Sequence, residues 1–302
     1  MQKMFDSIIG QKNTKQTLTI YSKAYEKTNK IPFLNFVGAK GGGKTELAIA
    51  FGKTLGKPLL EVNAELIKKP ETFFGDYYDV WSAEPATLFV DEAHNLSKPL
   101  QEIFLTILNT KRNSKKIRFE GASFTFDFSS MSILFATTDQ QKLSEPLNDR
   151  LTAISLEPYS EEELYQIFLL NLQEDIKIDG AQSLISNCFR GNPRDAVKKA
   201  QALNSFCCAL NKTSVTCKVW HKFMSNMSVG QLGLENAEKL ILEVLGRTGN
   251  QTLSAIASMT GFSPQVIRRD YEQVLLRKGL IKIDGKRKLT KAGKDFFRQF
   301  CH

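Results

Sequence analysis

The sequence has few residues of the types that build metal and disulfide sites. It contains three histidines, at positions 94, 221 and 302, and five cysteines, none of which form a C-x-x-C pair. These numbers argue against a His-rich metal site, a zinc knuckle and a disulfide framework. The sequence also lacks a run of about 20 apolar residues that would span a bilayer, and its first residues lack the apolar segment of a signal peptide. We therefore expect a reduced, cytoplasmic protein with no membrane partner.

The composition is that of a globular protein with a basic surplus. The 302 residues suffice for two or three domains, and 42% of them are hydrophobic. A net charge of +9 indicates an anionic partner such as nucleic acid. The pattern changes after residue 159, and a segment rich in glycine and small residues covers 228–233. We predict three domains, 1–159, 160–230 and 231–302.

The first half alternates short apolar runs with helical patterns, which is typical of a parallel sheet with crossover helices. The runs predict five strands: Phe33 to Val37, Leu59 to Asn63, Thr87 to Val90, Ile133 to Ala136 and Ile154 to Glu157. Helical patterns follow from Ser160 to about Met227. The sequence thus predicts an α/β domain with a five-stranded parallel sheet, followed by a helical lid.

The last block, 231–302, is patterned as three helices and a two-stranded hairpin. The predicted helices are Asn236 to Leu245, Leu253 to Ser258 and a third that starts after Ser263 and runs to about Lys278. Asp284-Gly285 lies between two short alternating runs, which is a strong hairpin signal. This order of elements predicts a winged helix.

A phosphate-binding motif follows the first predicted strand. Residues 38–45, GAKGGGKT, match G-x4-G-K-[ST] and lie between a strand and a helix, as the motif requires. Lys44 would contact the β- and γ-phosphates of ATP, and the Thr45 hydroxyl would bind Mg²⁺. Backbone N–H groups of the loop and the helix N-terminus would surround the phosphates. The glycines that permit this turn are Gly38, Gly41, Gly42 and Gly43.

Polar residues follow two further predicted strands. Asp91 and Glu92 stand at the carboxyl end of an apolar strand, where ligands bind in open α/β sheets. We predict that Asp91 contributes to the Mg²⁺ shell and that Glu92 orients or activates the attacking water. Thr138 is predicted to contact the γ-phosphate or that water. His94 has two interpretations, a polar cap of the strand end or a residue that couples the site to DNA.

Two arginines are candidates for further contacts with the nucleotide. Arg150 would reach the γ-phosphate of a neighbouring subunit as a trans finger, because its guanidinium is planar and permanently charged. The alternative for Arg150 is a surface ion pair with Asp149. Arg194 follows Pro193 at a predicted helix start, where a cation is unfavourable unless a polyphosphate offsets it. We predict that Pro193 and Arg194 belong to the nucleotide site, with Arg194 as a second sensor.

These motifs, in this order, resemble those of the AAA+ ATPases and in particular of the RuvB family of Holliday-junction branch-migration motors. The resemblance covers nearly the whole chain and is most specific in the GNPR turn and in the winged helix entered through GLE. The segments that carry it are FDSIIGQ at 5–11, DEAH at 91–94, ATT at 136–138, PLNDR at 146–150, GNPR at 191–194 and GLE at 233–235.

The resemblance implies an ATP-dependent hexameric ring on double-stranded or branched DNA that cooperates with a RuvA-like junction-binding protein. Through the same resemblance, Ile8 and Ile9 would flank the adenine and Tyr159 would pack near it. The cofactors implied are ATP and Mg²⁺.

The sequence departs from the family pattern in three places. Asn148 stands where the family has an arginine, so Arg150 alone is left for the trans role. Ala39-Lys40 replaces two prolines of the phosphate loop. The insertion at 111–128 is basic in its first part and then alternates phenylalanines, whereas the family's hairpin is apolar and docks on RuvA. The basic residues of 111–118 either line the ring pore or belong to a mobile loop.

The winged helix carries most of the positive charge, with 13 basic and 7 acidic residues between Gln231 and His302. We interpret the basic residues as contacts with DNA phosphates that position the protein, and not as readers of bases. The alternative is a solvated basic face on a winged helix that contacts only protein. The six predicted DNA contacts are Arg268, Arg269, Arg277, Lys286, Arg287 and Lys288.

The sequence therefore predicts an ATP-driven DNA motor that hydrolyses ATP between the subunits of a ring. One alternative is a loader or switch ATPase that uses ATP to assemble on DNA or to place a partner protein. Another is a non-enzymatic DNA-binding regulator, against which the adjacent Asp91 and Glu92 argue.

Overall fold

The computed structural model describes residues 5, 7–75, 85–109, 114–119, 122–127, 131–227 and 230–300. The chain divides into two compact units, Met1–Tyr159 and Ser160–His302. The predicted boundary at residue 230 lies inside the second unit, and the division into three domains stays a prediction. Within the described ranges, no helix combines the length and the apolar character needed to cross a bilayer.

The first unit is built on a five-stranded parallel sheet, which confirms the predicted fold class. Its strands are β1 Leu34–Val37, β2 Leu59–Asn63, β3 Thr87–Asp91, β6 Ser132–Thr137 and β7 Thr152–Ser155. Their order along the sheet is β2-β3-β6-β1-β7. In register, Leu34 of β1 lies opposite Leu134 of β6 and Thr152 of β7.

The central strands are buried on both faces, which explains their nearly continuous apolar sequence. All six residues of β6 are buried. One face of the sheet contributes Val90 and Phe135 to a hydrophobic cluster. The other face contributes Phe36 and Leu134 to a second cluster. Most polar side chains of these strands therefore lie at the strand ends, and Asn35, buried within β1, is an exception.

Helices cover the sheet of the first unit. The helix that follows β1 buries Leu47 and Phe51 in the cluster that contains Phe36. The helices are Lys12–Thr28, Lys44–Thr54, Lys98–Ile107 and the short Glu145–Asn148, with helical residues at 70–75 and 3₁₀ turns at Ala93–Asn95 and Gln140–Lys142.

A hairpin occupies part of the basic insertion. Strands β4, Ser114–Phe119, and β5, Ala122–Asp127, pair antiparallel, with Ile117 opposite Phe124. Residues 110–113 and 128–130 lie outside the described residues, among them Lys111, Arg112 and Phe128. The two interpretations of the basic residues therefore both stay predictions.

The second unit begins with a helical region. Ser160 caps the first helix in a capping box with Glu163, which confirms the predicted helix start. In its core, Phe168 packs against both Phe189 and Trp220. The helices are Glu161–Leu170, Gln182–Ser186, Pro193–Ala209 and Cys217–Asn226, and the short strands β8, Lys177–Ile178, and β9, Ser214–Val215, pair in parallel.

The winged helix has the predicted order of elements with two differences. The predicted third helix is interrupted by a π-helical segment, and a helix that the sequence analysis did not predict follows the wing. The bounds are Asn236–Thr248, Leu253–Thr260, Pro264–Val266, the π-helix Ile267–Tyr271, Glu272–Arg277, β10 Ile281–Asp284, β11 Lys286–Leu289 and the final helix Lys291–Phe300, and a 3₁₀ turn at Gln231–Gly233 precedes them.

Candidate functional site

Three predicted motifs meet at the carboxyl edge of the sheet. The loop with Lys44 follows β1, Thr138 follows β6, and Asp91 ends β3. These strands are consecutive neighbours in the sheet, in the order β3-β6-β1. Since parallel strands end at the same edge, the topology brings all three motifs to one site.

The phosphate loop has the tight backbone that its glycines permit. Gly41 and Gly43 have φ values of +74° and +86°, a conformation that is strained for any residue with a side chain. The N–H of Gly42 donates to the carbonyl of Ala39 over 3.1 Å, and a Cβ at Gly42 would lie 3.0 Å from that oxygen. The loop therefore turns directly into the N-terminus of the helix Lys44–Thr54, where phosphates are favourably bound.

The side chain of Lys44 lies inside this loop. It is 5% exposed, and its Nζ donates to the carbonyls of Gly38 and Ala39 over 3.1 and 3.0 Å. The ammonium group is thus held next to the backbone that would surround a phosphate. Phosphate oxygens can replace these carbonyls as its partners.

Thr45 and Asp91 connect the phosphate loop to the carboxylate strand. The Thr45 hydroxyl donates to Asp91 Oδ2 over 2.9 Å, and the backbone N–H of Glu92 donates to Asp91 Oδ1 over 2.8 Å. Hydroxyl and carboxylate oxygens are the ligands that Mg²⁺ prefers. The pair therefore fits the magnesium role predicted for it.

Glu92 stands in a left-handed turn after β3, with φ +49°. Its Oε2 lies 3.3 Å from Nδ1 of His94. The same nitrogen lies 3.3 Å from Oγ1 of Thr137, which accepts the N–H of Asp139 over 3.1 Å. Thr137 belongs to the ATT segment but was not among the predicted site residues, since only the following Thr138 was assigned a role. Thr138, which was predicted, is half-buried beside it.

The N-terminal segment is fixed against the end of the sheet. Gln11 donates to the carbonyl of Glu157 over 2.7 Å and accepts the N–H of Glu157 over 2.9 Å. A Cβ at Gly43 would lie 3.1 Å from the hydroxyl of Tyr159, so this ring reaches the phosphate loop. Ile8 packs against the core cluster of this unit, and Ile9 is half-buried. Their role in adenine binding stays a prediction.

Arg150 has an exposed side chain whose Nη1 donates to the carbonyl of Pro146 over 2.7 Å. The described contacts include no ion pair between Arg150 and Asp149. The preceding Asn148 donates to the carbonyls of Gln140 and Leu143, both over 3.1 Å, and so fixes the turn that carries Arg150. The guanidinium is therefore available at the surface of this unit.

In the second unit, Arg194 is exposed in the first turn of the helix Pro193–Ala209. Asn192 caps this helix by accepting the N–H of Asp195 over 2.9 Å. The predicted helix start is thereby confirmed. The contact of Pro193 and Arg194 with a nucleotide stays a prediction.

A half-buried arginine that was not among the predicted site residues lies four residues before Arg194. The Nη2 of Arg190 is 2.5 Å from Glu238 Oε1, and its Nη1 is 3.0 Å from Glu235 Oε1. The backbone N–H of Arg190 donates to Asp195 Oδ2 over 2.9 Å. Burial raises the pKa of the Glu238 carboxyl, and the charge of Arg190 counteracts this in part. The residue therefore connects the turn before Arg194 to the first turn of the helix Asn236–Thr248.

Two of the six predicted DNA contacts have partners that are distant from them in the sequence. Arg277 Nη1 donates to the carbonyl of Arg190 over 2.6 Å. Arg287 is 11% exposed and its Nε lies 2.7 Å from Glu272 Oε2. A DNA phosphate would have to compete with these bonds, and the contact of Arg277 and Arg287 with DNA stays a prediction. Neither pairing could be expected from sequence spacing alone.

The other four predicted DNA contacts either have no partner among the described residues or pair with a residue close in sequence. Arg268 and Lys286 are exposed. Arg269 is exposed and pairs with its neighbour Asp270, and Lys288 pairs with Asp284 over 2.6 Å. Exposed ion pairs of this kind contribute little and are readily exchanged for other partners.

Comparison with known families gives two matches along the chain. Residues 2–156, which are more than half of it, match the Holliday junction DNA helicase RuvB P-loop domain. Residues 231–298 match the RuvB C-terminal winged helix domain.

Curated relatives cover most of the chain. The Holliday junction branch migration complex subunit RuvB of Kosmotoga olearia is 28% identical over 294 residues, which are 91% of this chain and 83% of the relative. The subunit of the same name from Trichormus variabilis is 29% identical over 92% of this chain and 78% of the relative.

Solved structures show the same fold. The Thermotoga maritima RuvB Holliday junction branch migration motor aligns with a TM-score of 0.77 over 97% of this chain and 96% of that chain, at 23% identity. A mutant of that protein aligns with a TM-score of 0.79 over 97% of each chain.

Proposed function

Because this chain belongs to the RuvB family of Holliday junction DNA helicases, we propose that it is a cytoplasmic, ATP-driven motor that acts on branched DNA. The observation that carries the proposal is the hydrogen bond between Thr45 and Asp91, which joins the phosphate loop to the carboxylate strand. A nucleotide bound at the loop would meet both the magnesium ligands and the candidate catalytic Glu92 at one edge.

The residues of this edge have distinct roles in the proposed reaction. Lys44 exchanges its carbonyl partners for the β- and γ-phosphates. Glu92 orients the water that attacks the γ-phosphate, and Thr138 contacts that phosphate or the water. Phosphoryl transfer needs mainly positioning and charge stabilisation, which this set of groups supplies.

Magnesium would be held by the oxygens of Thr45 and Asp91, which lie 2.9 Å apart. When bound, Mg²⁺ supplies charge neutralisation on the phosphates. Asp91 is fixed for this purpose by the N–H of Glu92, so its second oxygen faces Thr45.

We propose further that the motor is a homo-oligomeric ring, a hexamer as the family resemblance implies. The exposure of Arg150 supports a role on the nucleotide of a neighbouring subunit, since its own ion-pair alternative with Asp149 is absent from the described contacts. Arg194 would sense the nucleotide from the second unit. Family membership favours the motor over a loader or switch ATPase, which shares the same ATP motifs.

The winged helix is proposed to contact duplex or junction DNA through phosphates. The contact rests mainly on Arg268, Arg269 and Lys286, whose side chains are exposed, and Lys288, which pairs with Asp284, is the fourth candidate. A RuvA-like junction-binding protein is the proposed partner.

The test is the rate of ATP hydrolysis by the purified protein without DNA, with linear duplex and with a four-way junction, together with branch migration of that junction. We expect hydrolysis that depends on Lys44 and Glu92, and stimulation by DNA. Lys44→Ala should lose ATP binding, whereas Glu92→Gln should bind ATP and stop turnover. Hydrolysis without branch migration would favour the loader, and equal hydrolysis by Glu92→Gln would contradict the role of Glu92.

A further inference from the structure

His94 bridges the ends of two neighbouring strands through one ring nitrogen. Its Nδ1 lies 3.3 Å from Glu92 Oε2 and 3.3 Å from Thr137 Oγ1. Glu92 follows β3, and Thr137 ends β6, which pairs with β3. Thr137 is fully buried and the His94 side chain is 13% exposed, so the imidazole is enclosed between these two oxygens.

One carboxylate oxygen of Glu92, Oε2, is enclosed by protein and needs a hydrogen-bond donor beside it. Oε2 is buried and has no hydrogen-bond partner among the described residues, and His94 Nδ1 lies 3.3 Å from it, whereas the Glu92 side chain as a whole is 33% exposed. A carboxylate oxygen only accepts hydrogen bonds, and buried polar atoms are rarely left unpaired. A proton on Nδ1 would give this oxygen the donor that it lacks. The oxygen of Thr137 can accept the second branch of the same N–H.

We infer that His94 is a positioning residue for Glu92, and the inference rests on the proposed ATPase function. Its Nδ1–H holds Oε2 inward and leaves Oε1 to orient the attacking water. Thr137 fixes the imidazole, and the N–H of Asp139 fixes Thr137 in turn. The turn that carries Thr138 is thereby linked to Glu92 through Thr137 and His94.

The experiment compares His94→Ala with His94→Asn, whose amide nitrogen stands close to the position of Nδ1. Steady-state kcat and the ATP dissociation constant are measured for each. We expect His94→Ala to lower kcat about tenfold or more, because small misplacements of catalytic groups cost this much. ATP affinity should stay within about twofold, because His94 is placed at Glu92 and not at the phosphate loop. His94→Asn should retain most of the parental kcat.

Two further variants complete the test. Thr137→Val keeps the side-chain shape and removes the hydroxyl, so it should lower kcat in the parent and have no further effect in His94→Ala. If the thermal unfolding midpoint shows that His94→Ala does not fold, the kcat of Thr137→Val tests the inference instead. His221→Ala is the matched control, since His221 is an exposed histidine of the helix Cys217–Asn226. It should behave as the parent.

Three results would overturn the inference. They are a parental kcat in His94→Ala, equal losses in His94→Ala and His94→Asn, and a loss of ATP affinity as large as the loss of kcat. If the parent hydrolyses ATP in a Lys44-dependent way while His94→Ala has no effect, the inference fails and the proposed function stands. A parent that binds ATP without hydrolysing it would contradict both.

Discussion

The guanidinium of Arg190 lies 2.5 Å from the carboxylate of Glu238, which has no exposed surface. The pair joins the turn before the helix Pro193–Ala209 to the first turn of the helix Asn236–Thr248. Glu238 also accepts the N–H of Glu235 over 2.9 Å, so the carboxylate caps one helix while it binds an arginine from another region. Within the second unit, the Arg190–Glu238 pair thereby connects the segment that carries the exposed Arg194 to the start of the winged helix.

Arg190→Met should destabilise the protein by about 3–5 kcal/mol, because removing one partner leaves the charge of Glu238 buried and uncompensated. Urea unfolding followed by circular dichroism measures this difference. The double variant Arg190→Met/Glu238→Leu is the control, since it removes both charges and keeps apolar volume. It should recover most of the lost stability. A single variant as stable as the parent would show that the pair is not buried in solution.

Gly233→Ala should destabilise the second unit strongly. Gly233 has φ +73°, and a Cβ there would lie 1.8 Å from the carbonyl oxygen of Cys188. Both backbone strain and a clash with main-chain atoms therefore oppose a side chain. Gly261→Ala is the matched control, because Gly261 has φ +76° and nothing within 4 Å of the added atom. Gly261→Ala should lower the free energy of unfolding only by the cost of the backbone strain, about 1 kcal/mol.

The unfolding free energies of the two variants, measured under the same conditions, separate the cost of backbone strain from the cost of the steric clash. Equal losses in Gly233→Ala and Gly261→Ala would contradict the close approach of Gly233 to Cys188. This contact also gives a physical reason for the glycine that opens the GLE segment.

Local patterns explain which parts of the fold could be predicted. Strand β2 has the predicted bounds, and Ser263 caps its helix as expected, because apolar runs, caps and glycines act on adjacent residues. The phosphate loop was predictable for the same reason, since Gly38 to Thr45 are consecutive.

Contacts between distant residues could not be predicted from these patterns. Arg277 appears in the sequence as a helical cation, yet it binds the carbonyl of Arg190, 87 residues earlier. His94 and Thr137 meet because β3 and β6 are neighbours, although 43 residues separate them in sequence. Such pairs depend on the tertiary arrangement, which spacing and composition do not specify.

Cys188 should resist alkylation in the native protein. Burial raises the pKa of its thiol to about 12, so the reactive thiolate is absent near pH 8. Cys208 is exposed and serves as the internal control. Iodoacetamide followed by peptide mass analysis should modify Cys208 rapidly and Cys188 only after denaturation. Equal modification of both would contradict the burial of Cys188.

The same pKa predicts a dependence of stability on pH. In the unfolded chain the thiol ionises near its ordinary pKa of 9.0, whereas in the folded protein it stays neutral to about 12. The folded state thus binds more protons in this range, and stability contributed by Cys188 falls as the pH rises above 9. Cys188→Ala should show a smaller decrease in unfolding free energy over the same range.

Thr45→Val and Asp91→Asn should weaken ATP binding only when magnesium is present. The two side chains are bonded over 2.9 Å and provide the oxygens of the proposed metal site, whereas the phosphates also contact Lys44 and the loop. Titration with a fluorescent ATP analogue in Mg²⁺ and in EDTA measures the difference. We expect the preference for Mg²⁺ to fall about tenfold or more, with Thr45→Ser close to the parent. An equal loss of affinity in EDTA would assign the two residues to the loop structure instead.

Arg150→Ala should abolish turnover and leave ATP affinity unchanged, because the proposed partner of Arg150 is the nucleotide of the next subunit. Its own turn remains fixed by Asn148. Asp149→Ala is the control, since Asp149 is an exposed neighbour without a proposed role. A large loss of ATP affinity in Arg150→Ala would make the residue a ligand of its own subunit's nucleotide.

Mixing Arg150→Ala with Glu92→Ala subunits tests the shared site directly. Each protein alone lacks one group at every interface and should be inactive. In a head-to-tail ring of equal amounts, roughly a quarter of the interfaces pair an intact Glu92 with an intact Arg150 from the neighbour. ATP hydrolysis should therefore reappear on mixing. Two inactive proteins that stay inactive together, while light scattering shows mixed oligomers, would place both residues in the same subunit's site.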